Sequence, residues 1–455
     1  MTRRHAGGVG VSPTRHSALL SAIIAVIVAV STAIYVGVAS DDGSITSASG
    51  QSREGTGRGP AAPASTGIWV GAWSASPVGA EPGTEVKGLA GHSVRNVVHT
   101  SVGGTSARIT LSNLYGQARL TITHASVALS AGPGTAAAVA ETMRRLTFGG
   151  NATVVIPPGG QVLSDAVHLT VPADADLLVT TYSPTASGPV TYHPHARQTS
   201  YVAQGDLTED ATGVAYTGQV DAWRYLTALD VLSHESEGTV VVFGDSLTDG
   251  ISSTRNANHR WTDFLSRRLR AAVASGANVP RYSVVNQGIS GNQILASGSG
   301  RPADNQAGIG RFHRDALSRT NVKVVVIDLG VNDILRNPNL ADPDRILDGL
   351  RALVRQAHAR GIKVIGATLM PFQGHRGYTD ARENVRQQIN AEIRAGRVFD
   401  AVADFDKALR DPYNPRKFRP VYDSGDHLHP SDKGYEAMAR SFDLDDLKGS
   451  APAEL

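Results

Sequence analysis

The sequence predicts an α/β protein in which a β-rich, sandwich-like domain precedes a domain built on a doubly wound parallel sheet. In the first half, short β-branched runs are bounded by Gly, Pro or Asn, which is typical of antiparallel strands and turns. From residue 239 onward, apolar runs alternate with amphipathic helical stretches, which is typical of parallel strands joined by helices. We therefore expect a β-rich domain at 68–232, a parallel-sheet domain at 233–445 and a tail at 446–455.

Each domain has its own series of expected elements. In the β-rich domain, the clearest strand patterns lie at 107–116, 119–129, 152–160 and 176–184. In the C-terminal domain, buried strands are expected to start near residues 239, 282, 322, 362 and 398. Helical stretches between them include 260–275, 342–361 and 383–394. Ligands bind outside the carboxyl ends of the strands in such sheets, so the loops that follow the strands are the expected place for a site.

The N-terminal segment, residues 1–40, has the features of a targeting signal. Arginines precede an uncharged apolar stretch at 18–38, which is long enough to cross a membrane. The small residues "GVAS" that follow could end a cleaved signal peptide, so a signal peptide and a membrane anchor both stay open. Either interpretation predicts an extracellular protein, secreted or anchored with its C-terminal domain outside the membrane. Residues 41–67, rich in Gly, Ser, Pro and Ala, are expected to be a disordered linker.

The composition excludes several classes of function and chemistry. The chain of 455 residues has a formal net charge of only +2, which gives no argument for a nucleic-acid partner. Membrane contact is expected only through the N-terminal segment, and the oligomeric state is left open. The sequence has no cysteine, which excludes disulfides, thiolate nucleophiles and cysteine-ligated zinc. Any nucleophile must therefore be an oxygen or a nitrogen.

Four polar clusters follow the apolar runs or lie near the C-terminus: "GDSL" at 244–247, "NQGISGN" at 286–292, "GVND" at 330–333 and "DHLH" at 426–429. Each cluster is ambiguous by itself. Ser246 has the position of a helix N-cap, and His427 with His429 could bind a metal, although further ligands at diagnostic spacing are lacking. Together, however, the clusters supply what a hydroxyl nucleophile requires: a base, a carboxylate that orients the base, and hydrogen-bond donors for an oxyanion.

The four blocks, in this order and within residues 239–442, resemble those of the SGNH hydrolase family of the GDSL type. The resemblance implies a flavodoxin-like catalytic domain and an esterase or lipase mechanism that needs no metal or other cofactor. It implies that Ser246 is the nucleophile, that His429 is the general base, and that Asp426 orients His429. It further implies an oxyanion hole formed by the backbone N–H groups of Ser246 and Gly291 and the side-chain amide of Asn332. The chain has no G-x-S-x-G pentapeptide, which argues against an α/β-hydrolase nucleophile elbow.

Other polar residues near the blocks are expected to have structural roles. Asp245 and Asp333 each lie next to a residue of the implied site, where a carboxylate usually caps a helix or bonds to loop backbone. Arg311 and His313, in "IGRFHRD", could reach the pocket, but a solvated helix face is the expected position. His193 and His195, in "TYHPHARQ", are a weak indication of a metal site.

The substrate is the least determined part of the prediction. The sequence around the blocks is similar to that of the family branch that includes acetylxylan-esterase-like enzymes. This similarity implies that the substrates are short-chain or acetyl esters, including those of extracellular carbohydrate. The first alternative is a lipase or phospholipase, but the segment 296–310, "ASGSGRPADNQAGIG", lacks the apolar residues of a lipase lid. The second alternative is a non-catalytic carbohydrate-binding module, and the presence of every block residue argues against it.

Overall fold

The computed structural model describes residues 66–298, 305–337 and 339–451, which lie within one compact unit. The predicted N-terminal targeting segment, and all but the last two residues of the predicted linker, lie outside the described residues. Within the described ranges, none of the helices has both the length and the apolar character needed to cross a bilayer.

The first part of the described chain, up to Ser233, consists almost entirely of β-strands. The strands are β1 Ile68–Ser74, β2 Gly79–Ala80, β3 His92–His99, β4 Gly104–Ser112, β5 Leu120–Ile122, β6 His124–Leu129, β7 Arg144–Arg145, β8 Val154–Ile156, β9 Gln161–Leu163, β10 Val167–Val171, β11 Asp176–Ser183, β12 Thr191–Pro194, β13 Ser200–Gln204, β14 Gly218–Val220, β15 Ala222–Arg224 and β16 Leu226–Ser233. They pair antiparallel in sheets of order β1-β16-β4-β10, with β9 beside β4, then β14-β13-β3-β11-β6-β7, β15-β12-β2 and β5-β8. This confirms the predicted β-rich region.

The alternation of apolar residues along these strands explains their burial. In β4, for example, Ala107, Ile109 and Leu111 are all fully buried in the core of this region. One expected strand differs from the structure: the run 119–129 is divided at Thr123 into β5 and β6. The strand β5 pairs with β8, whereas β6 pairs with β11, so the chain changes sheets at this point.

A parallel sheet follows in the C-terminal part. Its strands are β17 Gly238–Gly244, β18 Tyr282–Gly288, β19 Val322–Asp328, β20 Lys363–Ala367 and β21 Ala401–Ala403. The strand order is β18-β17-β19-β20-β21, and every neighbouring pair is parallel. This is the flavodoxin-like order, in which the chain reverses direction across the sheet beside its first strand. The predicted fold class is therefore confirmed, and β17, which lies between β18 and β19, is buried along its whole length.

Helices connect and flank the parallel strands: α1 Ser246–Asp249, α2 Trp261–Ala274, α3 Gly308–Phe312, α4 Val331–Leu335, α5 Pro343–His358, α6 Asp380–Arg394, α7 Phe405–Leu409 and α8 Asp432–Ser441. A π-helical turn, His313–Leu317, continues α3, and single 3₁₀ turns lie at Ala140–Thr142 and Leu444–Leu447. The local sequence explains the helix starts. Helix α5, for example, has Pro as its first residue and the side chain of Asp342 as its N-cap.

The β-rich region contacts the parallel sheet directly. The Gly71 N–H in β1 donates to Thr239 Oγ1 at the start of β17, at 3.1 Å. Ser101 bonds on two sides: its Oγ accepts from the Val284 N–H in β18 at 3.2 Å, and its carbonyl accepts from Ser266 Oγ in α2 at 3.0 Å. These buried contacts fix the parallel sheet against the β-rich region.

Candidate active site

The turn after β17 places a serine hydroxyl at the carboxyl end of this strand. Asp245 is the N-cap of α1, because its Oδ1 accepts from the Leu247 N–H at 3.0 Å. Ser246 is the first residue of the helix, so its hydroxyl is not used for capping. Gly244 is required for the tightness of the turn, since a Cβ there would lie 2.3 Å from Thr248 Oγ1. The capping role considered for Ser246 therefore belongs to Asp245.

The structure brings Ser246, His429 and Asp426 into one hydrogen-bonded chain. Ser246 Oγ lies 2.8 Å from His429 Nε2, and His429 Nδ1 lies 2.6 Å from Asp426 Oδ2. Ser246 is 5% exposed and the His429 side chain 14%, so the chain opens to solvent mainly at Asp426. The geometry has the arrangement of a nucleophile, a base and an orienting carboxylate.

Backbone groups fix the orientation of Asp426. Its Oδ1 accepts from the N–H groups of Leu428 at 3.0 Å and His429 at 2.8 Å. Partial burial acts to raise the pKa of Asp426, but the bonds from the His429 ring and these N–H groups outweigh it, so the pKa lies well below its usual value. Asp426 is therefore ionised wherever the enzyme is folded at neutral pH.

Donors suited to an oxyanion lie around Ser246. Among the described residues, the backbone N–H groups of Ser246 and Gly291 donate to no other protein group. Gly291 has a φ of +77°, a conformation that favours glycine. The loop that carries Gly291 is attached to the end of β17, because the Ile289 N–H donates to the Gly244 carbonyl at 3.1 Å.

The side chain of Asn332 is held from two sides. Its Nδ2 donates to Asp245 Oδ2 at 2.9 Å, and its Oδ1 accepts from Arg336 Nε at 3.0 Å. An amide nitrogen has two hydrogens, so one of them is left for a further acceptor. The bond to Arg336 also fixes which end of the amide is the nitrogen.

Three buried carboxylates, those of Asp245, Asp328 and Asp333, lie near Ser246 and the loops that follow the strands. Asp333 accepts from the N–H groups of Ile294 at 2.8 Å and Leu295 at 3.0 Å, so it bonds to loop backbone as expected. Burial raises the pKa of both Asp328 and Asp333 to about 6. Burial, together with the neighbouring Asp328 carboxylate, raises the pKa of Asp245 well above its usual value.

The histidines considered for metal binding have other partners. His427 Nδ1 bonds to Asp423 Oδ2 at 2.6 Å, so it does not share the carboxylate of His429. His193 bonds to Asp249, a contact that sequence reasoning missed. In the part of the chain that the structure describes, no three His, Asp or Glu side chains are grouped so that they could hold a metal ion.

The expectation for Arg311 is wrong, because its side chain is fully buried and not on a solvated helix face. Its guanidinium donates to the Gly244 carbonyl, the Gln287 carbonyl and Asn292 Oδ1, each at 2.9 Å. It also lies over the Phe243 ring, 3.9 Å from the ring centre. Arg311 thus connects the first two blocks through bonds to Gly244, Gln287 and Asn292. The charged and apolar residues around Arg311 in the sequence did not indicate that its side chain is buried.

Comparison with known proteins agrees with the family that the sequence resembles. The model of the GDSL-like Lipase/Acylhydrolase family matches residues 242–437, which confirms the family resemblance. No curated protein matches the chain. Similar solved structures include an acetyl xylan esterase, with 21% identity over 45% of this chain and 96% of that chain and a TM-score of 0.34. A carbohydrate acetylesterase from Sinorhizobium meliloti has 18% identity over 45% of this chain and 95% of that chain, with a TM-score of 0.33. A member of the lipolytic protein G-D-S-L family from Veillonella parvula has 16% identity over 45% and 96%, with a TM-score of 0.31. The family match, and not these structures, carries the assignment.

Proposed function

We infer that this chain, a carboxylic ester hydrolase with a catalytic domain of the GDSL-like lipase/acylhydrolase family, acts outside the cytoplasm on short-chain or acetyl esters through a serine acyl-enzyme. The observation that carries the mechanism is the hydrogen-bonded chain from Ser246 Oγ through the His429 ring to Asp426. A serine hydroxyl is a weak nucleophile unless a base accepts its proton, and His429 Nε2 lies where that proton must go.

The acylation step follows from this geometry. As Ser246 Oγ attacks the ester carbonyl, His429 Nε2 accepts its proton, and the ionised Asp426 stabilises the imidazolium that forms. The N–H groups of Ser246 and Gly291 and the amide of Asn332 bond to the developing oxyanion. His429 then returns the proton to the leaving alcohol, and the acyl group stays on Ser246.

Deacylation repeats the same steps with water in place of Ser246. His429 accepts a proton from the water as it attacks the acyl carbonyl, and the same donors bond to the second oxyanion. The tetrahedral intermediate collapses, the carboxylic acid leaves, and the proton on His429 returns to Ser246 Oγ. Both halves of the reaction thus depend on the same three donors.

The surroundings of Ser246 support a small acyl group over a long lipid chain. The buried residues of the adjoining loops include apolar side chains, such as Ile289 and Ile294, and several polar ones: Asp245, Ser290, Asn292, Gln293, Asn332 and Asp333. A long acyl chain requires an extended apolar surface. The sequence of the segment 296–310, dominated by Gly, Ser, Ala and polar residues, does not supply one. These features favour acetyl or other short acyl groups, including those on carbohydrate, over lipid esters.

An extracytoplasmic location is proposed from the N-terminal sequence alone. The arginines before the apolar stretch 18–38 favour an inward N-terminus, which places the rest of the chain on the outer side. Fusion of residues 1–67 to a reporter that is active only after export tests this. Reporter activity that stays cytoplasmic would contradict it.

Hydrolysis of nitrophenyl esters of increasing acyl length tests the reaction and its substrate class. We expect turnover to be highest for acetyl and other short esters and to be reduced at least about 10⁴-fold in Ser246→Ala. Ser275→Ala, at an exposed serine after α2, is the matched control and should equal the wild type. Acetate release from acetylated xylan, measured with the same three proteins, tests the carbohydrate substrate.

The other outcomes separate the alternatives. A preference for long acyl chains that is enhanced by lipid vesicles or detergent would replace the esterase with a lipase. Equal inactivity of the wild type and Ser246→Ala on every ester would favour a carbohydrate-binding module.

A further inference from the structure

We propose that the β-rich region takes part in catalysis through His193, a positioning residue that holds the oxyanion loop by way of Asp249. The oxyanion loop is defined here as residues 288–292, which include Gly291. The inference rests on the proposed function, because it assumes that the Gly291 N–H binds the oxyanion. It assigns a role to the β-rich region, which the family match at 242–437 does not include.

Asp249 connects the nucleophile helix to the oxyanion loop. It is the last residue of α1, and its Oδ2 accepts from Ser290 twice: from the N–H at 3.1 Å and from Oγ at 2.5 Å. Ser290 directly precedes Gly291, so these two bonds hold the residue next to the Gly291 N–H in place. The packing is tight at this point, since a Cβ on Gly288 would lie 2.3 Å from the Asp249 nitrogen.

The β-rich region supplies the partner of Asp249. His193, in β12, lies with its Nε2 2.9 Å from Asp249 Oδ1, and both side chains are only 4% exposed. The Nδ1 of the same ring lies 2.7 Å from the Ser76 carbonyl. A carbonyl and a carboxylate both accept hydrogen bonds, so the ring lies between two acceptors that draw on its N–H groups.

The charge of Asp249 depends on this contact. Burial acts to raise the pKa of Asp249, but the bonds and charge of His193, together with the bonds from Ser290, outweigh it and hold the pKa below its usual value. A buried carboxylate that loses its hydrogen-bonding partner either takes up a proton or draws in water. Either change would disturb the two bonds to Ser290 and loosen the loop.

A second set of contacts from the β-rich region reaches the same loop. Ser76 Oγ bonds to the side chain of Gln287 and accepts from Arg311 Nη1 at 3.1 Å. Arg311 in turn donates to Asn292 Oδ1 at the far end of the loop. The loop is therefore held at its middle, through Ser290, by contacts that begin at His193, and at its far end, through Asn292, by contacts that begin at Ser76. Because oxyanion stabilisation requires donors that are fixed before the reaction, this support acts on the transition state more than on substrate binding.

Two substitutions of His193 in the full chain test the proposal. His193→Leu removes both bonds, and we expect kcat to fall about 10- to 100-fold, as for outer-shell partners of catalytic ligands, with KM changed less than about threefold. His193→Gln keeps a donor toward Asp249 and should recover a large part of kcat. The inhibition constant for a trifluoromethyl ketone, which forms a tetrahedral adduct with the serine hydroxyl, should rise by about the same factor as kcat falls.

The matched control is His99→Gln. His99 is a similarly buried histidine of the β-rich region, bonded to Asp176 at 2.7 Å and Asp174 at 3.0 Å, but among the described residues it has no bond to the oxyanion loop. We expect it to lower the melting temperature and to leave kcat and the inhibition constant within about twofold of the wild type. Melting temperatures of all variants separate loss of fold from loss of positioning.

Each outcome decides between distinct conclusions. A folded His193→Leu protein with wild-type kcat and inhibitor affinity overturns the positioning role and leaves the proposed function intact. Equal losses of kcat in His193→Leu and His99→Gln would reduce His193 to a structural contact, which also overturns it. A wild type that hydrolyses no ester overturns the proposed function and the inference together.

Discussion

At the scale of single residues, the candidate site depends on a division of roles between neighbours. Asp245 caps α1, so the hydroxyl of Ser246 is available to His429. Two Asp–His pairs follow one another in the C-terminal loop: Asp423 with His427, and Asp426 with His429. Only the second pair reaches Ser246 in the structure, which makes the first pair an internal control for the second.

Asp426→Asn should reduce kcat by about 10³- to 10⁴-fold, because an amide cannot stabilise the imidazolium and favours the wrong tautomer of His429. Steady-state hydrolysis of nitrophenyl acetate measures this change in kcat. Asp423→Asn, which makes the same chemical change beside His427, should keep kcat within a few fold. Equal losses in the two variants would contradict the assignment of Asp426.

The buried Asp328 predicts a dependence of stability on pH. Burial raises its pKa from 3.8 to about 6, so the folded protein binds this proton more tightly than the unfolded chain does. The resulting stabilisation is present below pH 3.8 and is lost as the pH rises through about 6. Asp328→Asn keeps an acceptor for Thr248 Oγ1 and removes the charge. The variant should therefore be more stable, relative to the wild type, at pH 8 than at pH 4.

Between pH 4 and pH 8, the unfolding free energy of Asp328→Asn relative to the wild type should change by about 1–3 kcal/mol. Denaturant titrations of both proteins at pH 4 and pH 8 measure it. Asp348→Asn, at an exposed carboxyl on α5, should show no comparable difference. If the stability of Asp328→Asn relative to the wild type were the same at both pH values, ionisation of Asp328 would not destabilise the folded protein.

At the scale of elements, the site is assembled from strand ends and very short helices. Helix α1 has four residues, too few to be stable by itself, so its position is set by what contacts it. The end of β18 approaches it so closely that only a glycine fits at Gly288: a Cβ there would lie 2.3 Å from the Asp249 nitrogen and 2.8 Å from its Cα. This contact is between backbones, which cannot move aside as a flexible side chain can.

Gly288→Ala should therefore displace α1 or the oxyanion loop. We expect kcat to fall at least about 10²-fold, the loss typical of a displaced oxyanion donor, and the melting temperature to fall as well. Gly310→Ala is the control, because a Cβ at that position meets nothing within 4 Å and a helical Ala is preferred to Gly. A Gly288→Ala protein with wild-type turnover would show that the helix and the loop can separate without loss.

At the scale of the whole molecule, the sequence predicts what is local and misses what joins distant segments. The parallel sheet was predictable from alternating apolar strands and amphipathic helices, and Ser246 and His429 from blocks whose residues lie at strand ends or within one loop. The contact between His193 and Asp249 was not predictable, because the two residues belong to regions with different patterns and neither has a local signal. Arg311 was misjudged for a related reason: its partners, among them Gly244 and Ser76, are distant in sequence.

The contacts between the β-rich region and the parallel sheet predict that the two unfold together. Ser101 bonds to both β18 and α2, and Gly71 bonds to β17, so separation would leave buried polar groups without partners and expose apolar surface around Val285. The four tryptophans allow a test, since Trp261 alone lies in the C-terminal part. In Trp261→Phe, fluorescence reports only on the β-rich region, whereas esterase activity reports on the catalytic site.

Urea titration of Trp261→Phe, followed by fluorescence and by residual activity, should give midpoints that agree within about 0.2 M, as two-state unfolding requires. Calorimetry of the wild type should then give one transition whose calorimetric and van't Hoff enthalpies agree. If activity were lost at a clearly lower urea concentration than the fluorescence change, the catalytic region would unfold by itself. The contacts through Ser101 and Gly71 would then be too weak to couple the two regions, and support of the oxyanion loop by His193 would depend on the remaining contacts.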